Sequence, residues 1–133
     1  MGIQTSSINI DGTVATTGGT ATGMIAKGGT LNELVTVLDD SSEYIAQTRV
    51  RFTVVDPKVQ SSAPNGYTQA RSIVKVVVPL ALDNGNYTTN TLELRLGVDP
   101  ETSDAEIASM LVLGAQLFVD SDFSDFWKKQ SLS

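Results

Sequence analysis

Three long stretches of alternating apolar and polar residues occupy the centre of the chain, and this alternation restricts the fold more than any other feature. The stretches are about Glu43–Val55, Tyr67–Leu82 and Tyr87–Val98. In the first, for example, Val50 and Phe52 alternate with Arg49 and Arg51. Because successive side chains of a strand point to opposite faces, a period of two predicts strands with one apolar and one polar face. The 14 valines and 15 threonines also favour a core made mostly of sheet.

The segments between these strands carry turn signals typical of antiparallel neighbours. Asn84-Gly85 separates the second strand from the third and favours a tight hairpin turn. The loop from Asp56 to Gly66 holds two prolines, which end strands because proline has no N–H group. For the same reason Pro79 predicts an edge, a bulge or a bend near the end of the second strand. We therefore expect an antiparallel β-meander.

The first 43 residues predict further strands. Residues 7–15, with Asp11-Gly12 in their middle, have the pattern of an amino-terminal hairpin. A short strand is expected around Met24-Ile25, between Gly18-Gly19 and Gly28-Gly29. Leu34–Val37 predicts one more strand.

The pattern becomes helical after Asp99-Pro100. Ser103 and Glu106 have the spacing of a capping box, in which the serine and glutamate side chains satisfy free N–H groups at a helix start. Apolar residues then recur at helical spacing, and a second capped segment begins near Ser121. Lys128 and Lys129 fall in its last turn, where cations complement the helix dipole.

These patterns predict one α+β domain spanning residues 1–133. It consists of an amino-terminal hairpin and first strands in 1–43, long central strands in 44–98 and two helices in 103–131. A chain of this length leaves much apolar surface wet unless a partner covers it, so we expect homo-oligomerisation.

The net charge of −6 hides a segregation of charge along the chain. Residues 1–43 hold one lysine against five acids, and residues 99–133 hold two lysines against seven acids. Residues 44–98 hold six cations against three acids. Of these six, Arg49, Arg51, Arg71, Lys75 and Arg95 stand at odd positions of the strands, opposite in parity to the apolar residues. The central sheet should therefore have one basic face, suited to phosphate groups.

The absence of histidine and cysteine excludes disulfides, thiolate or imidazole metal sites and a Ser-His-Asp triad. Asp120, Asp122 and Asp125 are close in sequence, but they lack the glycine and terminal glutamate of a calcium loop and are interpreted as solvated acids. We expect no catalytic residue, no metal and no cofactor. No apolar run is long enough for a membrane span and no signal peptide is visible, so we expect a cytoplasmic product that contacts no membrane.

The order of elements resembles that of the coat proteins of small single-stranded RNA bacteriophages, the levivirus-like group. The resemblance covers about residues 45–130 and rests on Ser72–Pro79, on Thr91–Leu96 and on the Thr102-Ser103-Asp104 helix start. It implies a capsid protein whose two helices clasp the sheet of a homodimer partner. It further implies that dimers assemble into an icosahedral virion shell around single-stranded genomic RNA, in a bacterial host cytoplasm, with the phage maturation protein as a further partner.

The resemblance also implies functional residues. On the helix-free sheet face, an RNA hairpin that serves in packaging and translational repression would contact these strand positions, together with the cations of that face: Arg49, Arg51, Thr53, Arg71, Ile73, Lys75, Thr89, Thr91 and Arg95. The helices would supply the dimer interface through Ile107, Met110, Leu111, Leu117, Phe118, Phe123, Phe126 and Trp127. The family often places an aromatic residue for base stacking near Thr89, and here Tyr87 is the nearest aromatic of that parity.

Other interpretations stay open on the sequence alone. The strand cations are ordinary solubilising charges in many proteins. Glu93 is expected to be the only acid in the basic patch and to pair with a neighbouring arginine. A hydrolase that uses only carboxylates would need two acids in one cleft, whereas the acids here fall at turns and helix starts. A non-viral β-rich structural subunit, which assembles with itself and binds no specific RNA, is the alternative function.

Overall fold

The computed structural model describes residues 7, 19, 21–40 and 42–132. The strands are β1 (Met24–Gly29), β2 (Glu33–Leu38), β3 (Arg49–Val55), β4 (Ala70–Ala81) and β5 (Tyr87–Val98). The helices are α1 (Asp104–Val119) and α2 (Ser124–Lys129), with 3-10 helices at Tyr44–Ala46 and Ser121–Phe123. Contacts divide the chain into a sheet unit, Gly19–Pro100, and a helix unit that contains Glu101–Ser133. The predicted hairpin at 7–15 lies outside the described residues.

The five strands of the sheet unit pair in the order β1-β2-β3-β4-β5, and every neighbouring pair is antiparallel. This confirms the predicted meander and the α+β fold class. The longest ladder joins β4 to β5 over all twelve residues of each strand, from Ala70 opposite Val98 to Ala81 opposite Tyr87. Because facing residues of an antiparallel pair share a face, these registers decide which side chains lie together.

The first predicted central strand, Glu43–Val55, is wrong at its start. The chain must reverse direction between Leu38 and Arg49, and residues 44–46 form a 3-10 helix within that connection. The Ala46 N–H donates to the Glu43 carbonyl at 2.9 Å, so this segment bonds locally and makes no ladder. The second strand likewise begins at Ala70, after an isolated bridge between Val59 and Tyr67.

The β4–β5 turn forms where the Asn84-Gly85 signal predicts it. The Leu82 N–H donates to the Asn86 carbonyl at 2.8 Å, and the Asn84 side chain accepts from the Asn86 N–H at 3.0 Å. Gly85 has a φ of 86°, a conformation that residues with a Cβ rarely adopt. Pro79 lies two residues beyond Val77, the last β4 residue paired with β3, so its missing N–H interrupts no β3–β4 bond.

A bulge interrupts the pairing of β1 with β2. The register shifts between Ala26 and Gly28, which leaves Lys27 without a partner residue in the ladder. Gly28 has a φ of 142°, and glycine tolerates this value because it has no Cβ. The predicted short strand around Met24-Ile25 is thus present and extends through both glycines that were expected to bound it.

The helix unit begins at the predicted cap. The Ser103 Oγ accepts from the Glu106 N–H at 3.2 Å and donates to the Glu106 carboxylate at 2.9 Å. The second start is also capped, because the Asp120 carboxylate accepts from the Asp122 N–H at 2.9 Å. No single helix among the described residues is long and apolar enough to cross a membrane; α1 together with 121–129 passes by length and composition, with a bend of 58° between them.

Very few described side chains are buried. Only Thr36, Val37, Gln116 and Phe123 are buried among residues 21–40 and 42–132 for which burial is given. In the sheet unit, the Thr36 hydroxyl donates to the Val50 carbonyl at 2.9 Å, so this polar group has a partner. Most apolar strand and helix residues therefore keep part of their surface exposed in the single chain.

Candidate nucleic-acid interface

The strand registers bring the five predicted cations onto one face of the sheet. Arg51 of β3 lies opposite Lys75 of β4, and Lys75 lies opposite Glu93 of β5. Odd-numbered residues of these three strands consequently share a face. We call it the basic face; it carries Arg49, Arg51, Arg71, Lys75 and Arg95.

The four uncharged RNA candidates lie on the same face. Ile73 stands between Thr53 of β3 and Arg95 of β5. Thr91 lies opposite Val77, and Thr89 lies opposite Pro79. All nine predicted RNA-binding residues are thus brought together on one surface. Their contact with RNA stays a prediction.

Two acids also lie on the basic face and neutralise part of it. Glu93 Oε1 is 3.2 Å from Arg95 Nη2, which is the pairing expected for Glu93. Glu33 Oε1 is 3.3 Å from Arg51 Nε, because Glu33 of β2 lies opposite Thr53. The expectation that Glu93 is the only acid of the patch is therefore wrong. Sequence reasoning missed Glu33 because only the β2–β3 register shows that it reaches Arg51.

The remaining cations of the basic face differ in their surroundings. Arg71 and Lys75 are exposed, and neither makes an ion pair with any residue in the described ranges. The Arg49 guanidinium carbon lies 5.1 Å from the centroid of the Tyr44 ring. Arg71 and Lys75 are therefore the cations most ready to meet phosphates.

Tyrosines flank this surface at two places. Tyr87 lies opposite Ala81 at the far end of the β4–β5 ladder, on the basic face and 49% exposed. Tyr44 lies in the β2–β3 connection and is 71% exposed. Arg49 lowers the pKa of the Tyr44 hydroxyl, first by a hydrogen bond and second by its positive charge. Sequence reasoning missed Tyr44 because it placed this residue in a continuous strand.

The opposite face of the sheet is apolar and only partly covered. It carries the even-numbered residues of β3, β4 and β5, and we call it the apolar face. Several of its members, together with residues of β1 and β2 that share the face, are exposed by 42–54%: Met24, Leu34, Val54, Val78, Leu80 and Leu92. An exposed apolar area of this kind is typical of an interaction surface.

The helix unit also exposes apolar side chains. Met110, Leu111, Leu117, Phe118 and Trp127 are 39–55% exposed, and all five belong to the predicted dimer interface. Ile107 and Phe126 are half-buried. Phe123 is only 7% exposed and so has little surface left to offer a partner.

Aromatic contacts fix the end of the helix unit. Trp127 stacks on Phe118 with ring centroids 4.9 Å apart, and Phe126 meets the same ring edge-on at 4.9 Å. The Trp127 indole N–H donates to the Leu117 carbonyl at 2.7 Å. The three rings therefore hold α2 against the last turn of α1.

Comparisons with known proteins found no matching family model and no matching curated protein. Solved structures do match. The virus-like particle protein of bacteriophage GQ-907 is 28% identical, with a TM-score of 0.86 over 98% of this chain and 99% of that chain.

More distant structures share the fold alone. The virus-like particle protein of bacteriophage AVE019 has a TM-score of 0.68 at 8% identity, over 90% of this chain and 93% of that one. That of Beihai levi-like virus 21 has a TM-score of 0.58 at 17% identity, over 95% and 97%. The meander followed by carboxy-terminal helices, shared with these particle proteins over nearly its whole length, identifies this chain as a structural capsid protein of the levi-like RNA bacteriophage coat-protein type.

Proposed function

We propose that this capsid protein forms homodimers, that the dimers assemble into an icosahedral shell, and that the shell encloses single-stranded genomic RNA bound to the basic face. The observation that carries the RNA assignment is the strand register, which collects Arg49, Arg51, Arg71, Lys75 and Arg95 on one surface. A chain with a net charge of −6 has few other places to bind a polyanion.

The exposed apolar residues support the dimer. The apolar face and the helix unit each leave large side chains such as Leu92 and Leu111 exposed, by 43% and 55%. Burying such a side chain stabilises by about 1.5–3 kcal/mol. A second copy of the chain offers both kinds of surface at once, so two copies can bury each other's helices and sheets. This arrangement makes the two contacts equivalent, as a two-fold dimer requires.

The charges of the basic face favour RNA over an acidic protein partner. Arg71 and Lys75 stand free on a broad sheet surface, with the hydroxyls of Thr53 and Thr91 on neighbouring strands of the same face. Cations spaced along strands fit successive phosphates, and hydroxyls donate to phosphate or base oxygens. The affinity should then depend steeply on salt, since bound RNA releases counterions.

The test compares two double variants of equal charge. Arg51→Ala with Lys75→Ala removes two cations of the basic face. Lys58→Ala with Lys128→Ala removes two cations from the β3–β4 loop and from α2. Particles of each variant are purified, imaged and assayed for RNA content and for the salt dependence of RNA binding.

We expect the basic-face variant to lose RNA and to flatten the salt slope by about 0.7 for each phosphate contact removed from a single strand. The control variant should behave as wild type. Equal RNA content and equal slopes in both variants would contradict the assignment of the basic face. Particles that form without RNA would still support the capsid role.

Specific recognition of a hairpin, and with it translational repression, is a finer part of the proposal. Thr89 offers a hydroxyl but no ring, so discrimination by base stacking at this position should be weaker than in proteins with an aromatic residue there. The host cytoplasm as the place of synthesis and the maturation protein as a partner rest on the resemblance. The viral neighbours favour this role over a non-viral structural subunit.

A further inference from the structure

An exposed tyrosine is held beside the basic face by one of its arginines. Tyr44 belongs to the 3-10 helix between β2 and β3, and 71% of its surface is exposed. The Arg49 guanidinium carbon lies 5.1 Å from the ring centroid. A guanidinium at this distance attracts the ring and restrains it through a cation–π contact. The exposure of Tyr44 leaves most of the ring open to solvent.

The position of Arg49 connects this ring to the proposed RNA surface. Arg49 lies on the basic face opposite Val77, and Val77 lies opposite Thr91. The 3-10 helix also contacts β4. Tyr44 therefore stands where the basic face meets the β2–β3 connection. Its ring is the kind of flat, restrained surface on which a nucleobase stacks.

The charges around the ring are mixed. Arg49 and, more weakly, Lys27 lower the pKa of the Tyr44 hydroxyl, which places positive charge near the ring. Asp39, Asp40 and Glu43 belong to the same connection and would repel a phosphate. An uncharged base suffers no such repulsion. The surroundings therefore suit a base better than a phosphate at this point.

We propose that Tyr44, restrained by Arg49, is a stacking platform for an unpaired base of the bound RNA. The proposal rests on the proposed function, because it assigns a base to one end of the face whose cations hold the phosphates. Stacking on an aromatic ring tolerates any base, so this platform adds affinity for single-stranded RNA without reading its sequence.

The experiment separates base contacts from phosphate contacts in the full-length protein. Each variant is titrated with a single-stranded RNA oligomer and with an abasic oligomer of equal length and charge. The variants are Tyr44→Ala, Tyr44→Phe and, as a matched control, Tyr87→Ala, which removes another exposed tyrosine of the same face. Circular dichroism checks that each variant keeps its fold.

We expect wild type and Tyr44→Phe to prefer the base-bearing oligomer. Tyr44→Ala should reduce this preference by about 5-fold to 150-fold, the range of one base stacked on one aromatic ring. The salt slope should stay unchanged, because the ring contacts no phosphate. Tyr87→Ala should keep the wild-type preference.

The contrary outcomes are distinguishable. An unchanged preference in Tyr44→Ala, with salt-dependent binding that falls in the Arg51→Ala/Lys75→Ala variant, would overturn the platform and leave the proposed function standing. Loss of the preference in Tyr87→Ala alone would move the platform to Tyr87. Failure of Tyr44→Ala to form particles, at an unchanged preference, would make Tyr44 a contact between subunits. Salt-independent RNA binding by wild type would overturn both proposals.

Discussion

Glu33 and Arg51 lie diagonally across the β2–β3 ladder, with 3.3 Å between Glu33 Oε1 and Arg51 Nε. Arg95 is engaged in the same way by Glu93 at 3.2 Å. Two of the five cations of the basic face thus already have acidic partners, and Arg49 contacts Tyr44. The affinity of this face for RNA should therefore depend on how easily phosphates displace these acids.

Replacing Glu33 by glutamine should strengthen RNA binding. The change frees Arg51 for a phosphate and removes a negative charge from the face. We expect a higher affinity at low salt and a salt slope steeper by about 0.7, measured by titration with single-stranded RNA. Folding stability should change by less than about 1 kcal/mol, because both groups are well exposed.

The control for this change is Asp56→Asn, which removes one negative charge from the loop after β3. A rise in affinity of the same size in both variants would mean that net charge, and not the release of Arg51, is responsible.

The Arg49–Tyr44 contact can be tested without RNA. Arg49 lowers the pKa of the Tyr44 hydroxyl from its ordinary value of 10.0, because it donates a hydrogen bond to the oxygen and its charge favours the tyrosinate. Arg49→Ala should therefore raise this pKa. The measurement is an ultraviolet titration of tyrosinate, with Tyr44→Phe as the reference that removes the signal of this residue. An identical titration curve in wild type and Arg49→Ala would show that the two side chains do not interact.

The Trp127 contacts predict a graded loss of stability. Trp127→Phe keeps an aromatic ring beside Phe118 but loses the hydrogen bond to the Leu117 carbonyl, which should cost about 1 kcal/mol. Trp127→Ala also loses the ring contacts, which should cost about 0.5–1.5 kcal/mol more for each pair.

Both Trp127 variants are measured by denaturant unfolding at one fixed protein concentration, because dissociation and unfolding are coupled in an obligate dimer. Equal stability of Trp127→Phe and wild type would show that the indole N–H does not stabilise the helix unit.

Removal of the chain after Asp120 should abolish the soluble dimer. The truncation deletes α2 with Phe126 and Trp127 and uncovers the last turn of α1. Size-exclusion chromatography with light scattering measures the outcome. A chain that ends at Ser131 is the control, since it keeps the bond from the Ser131 N–H to the Asp125 carbonyl. A monodisperse, cooperatively folding monomer from the Asp120 truncation would contradict the dimer proposal.

Local signals account for the parts of the fold that were predicted well. Asn84-Gly85, the Ser103–Glu106 cap and the alternation around Lys75 each act within a few residues, so their structures follow from backbone geometry and short hydrogen bonds. The start of β3 was predicted badly, since Tyr44 has strand-like neighbours but lies where the chain must reverse. That reversal depends on where β2 ends, which no residue near Tyr44 encodes.

The sequence by itself determined that odd-numbered cations share a strand face, because side chains alternate along any extended strand. Tertiary structure decided what those cations meet. Only the registers bring Arg51 beside Glu33 and Lys75, and only the fold of the β2–β3 connection sets the Tyr44 ring beside Arg49. The physical reason is distance along the chain: parity is a local property of a strand, whereas a contact between strands forms when the whole sheet pairs.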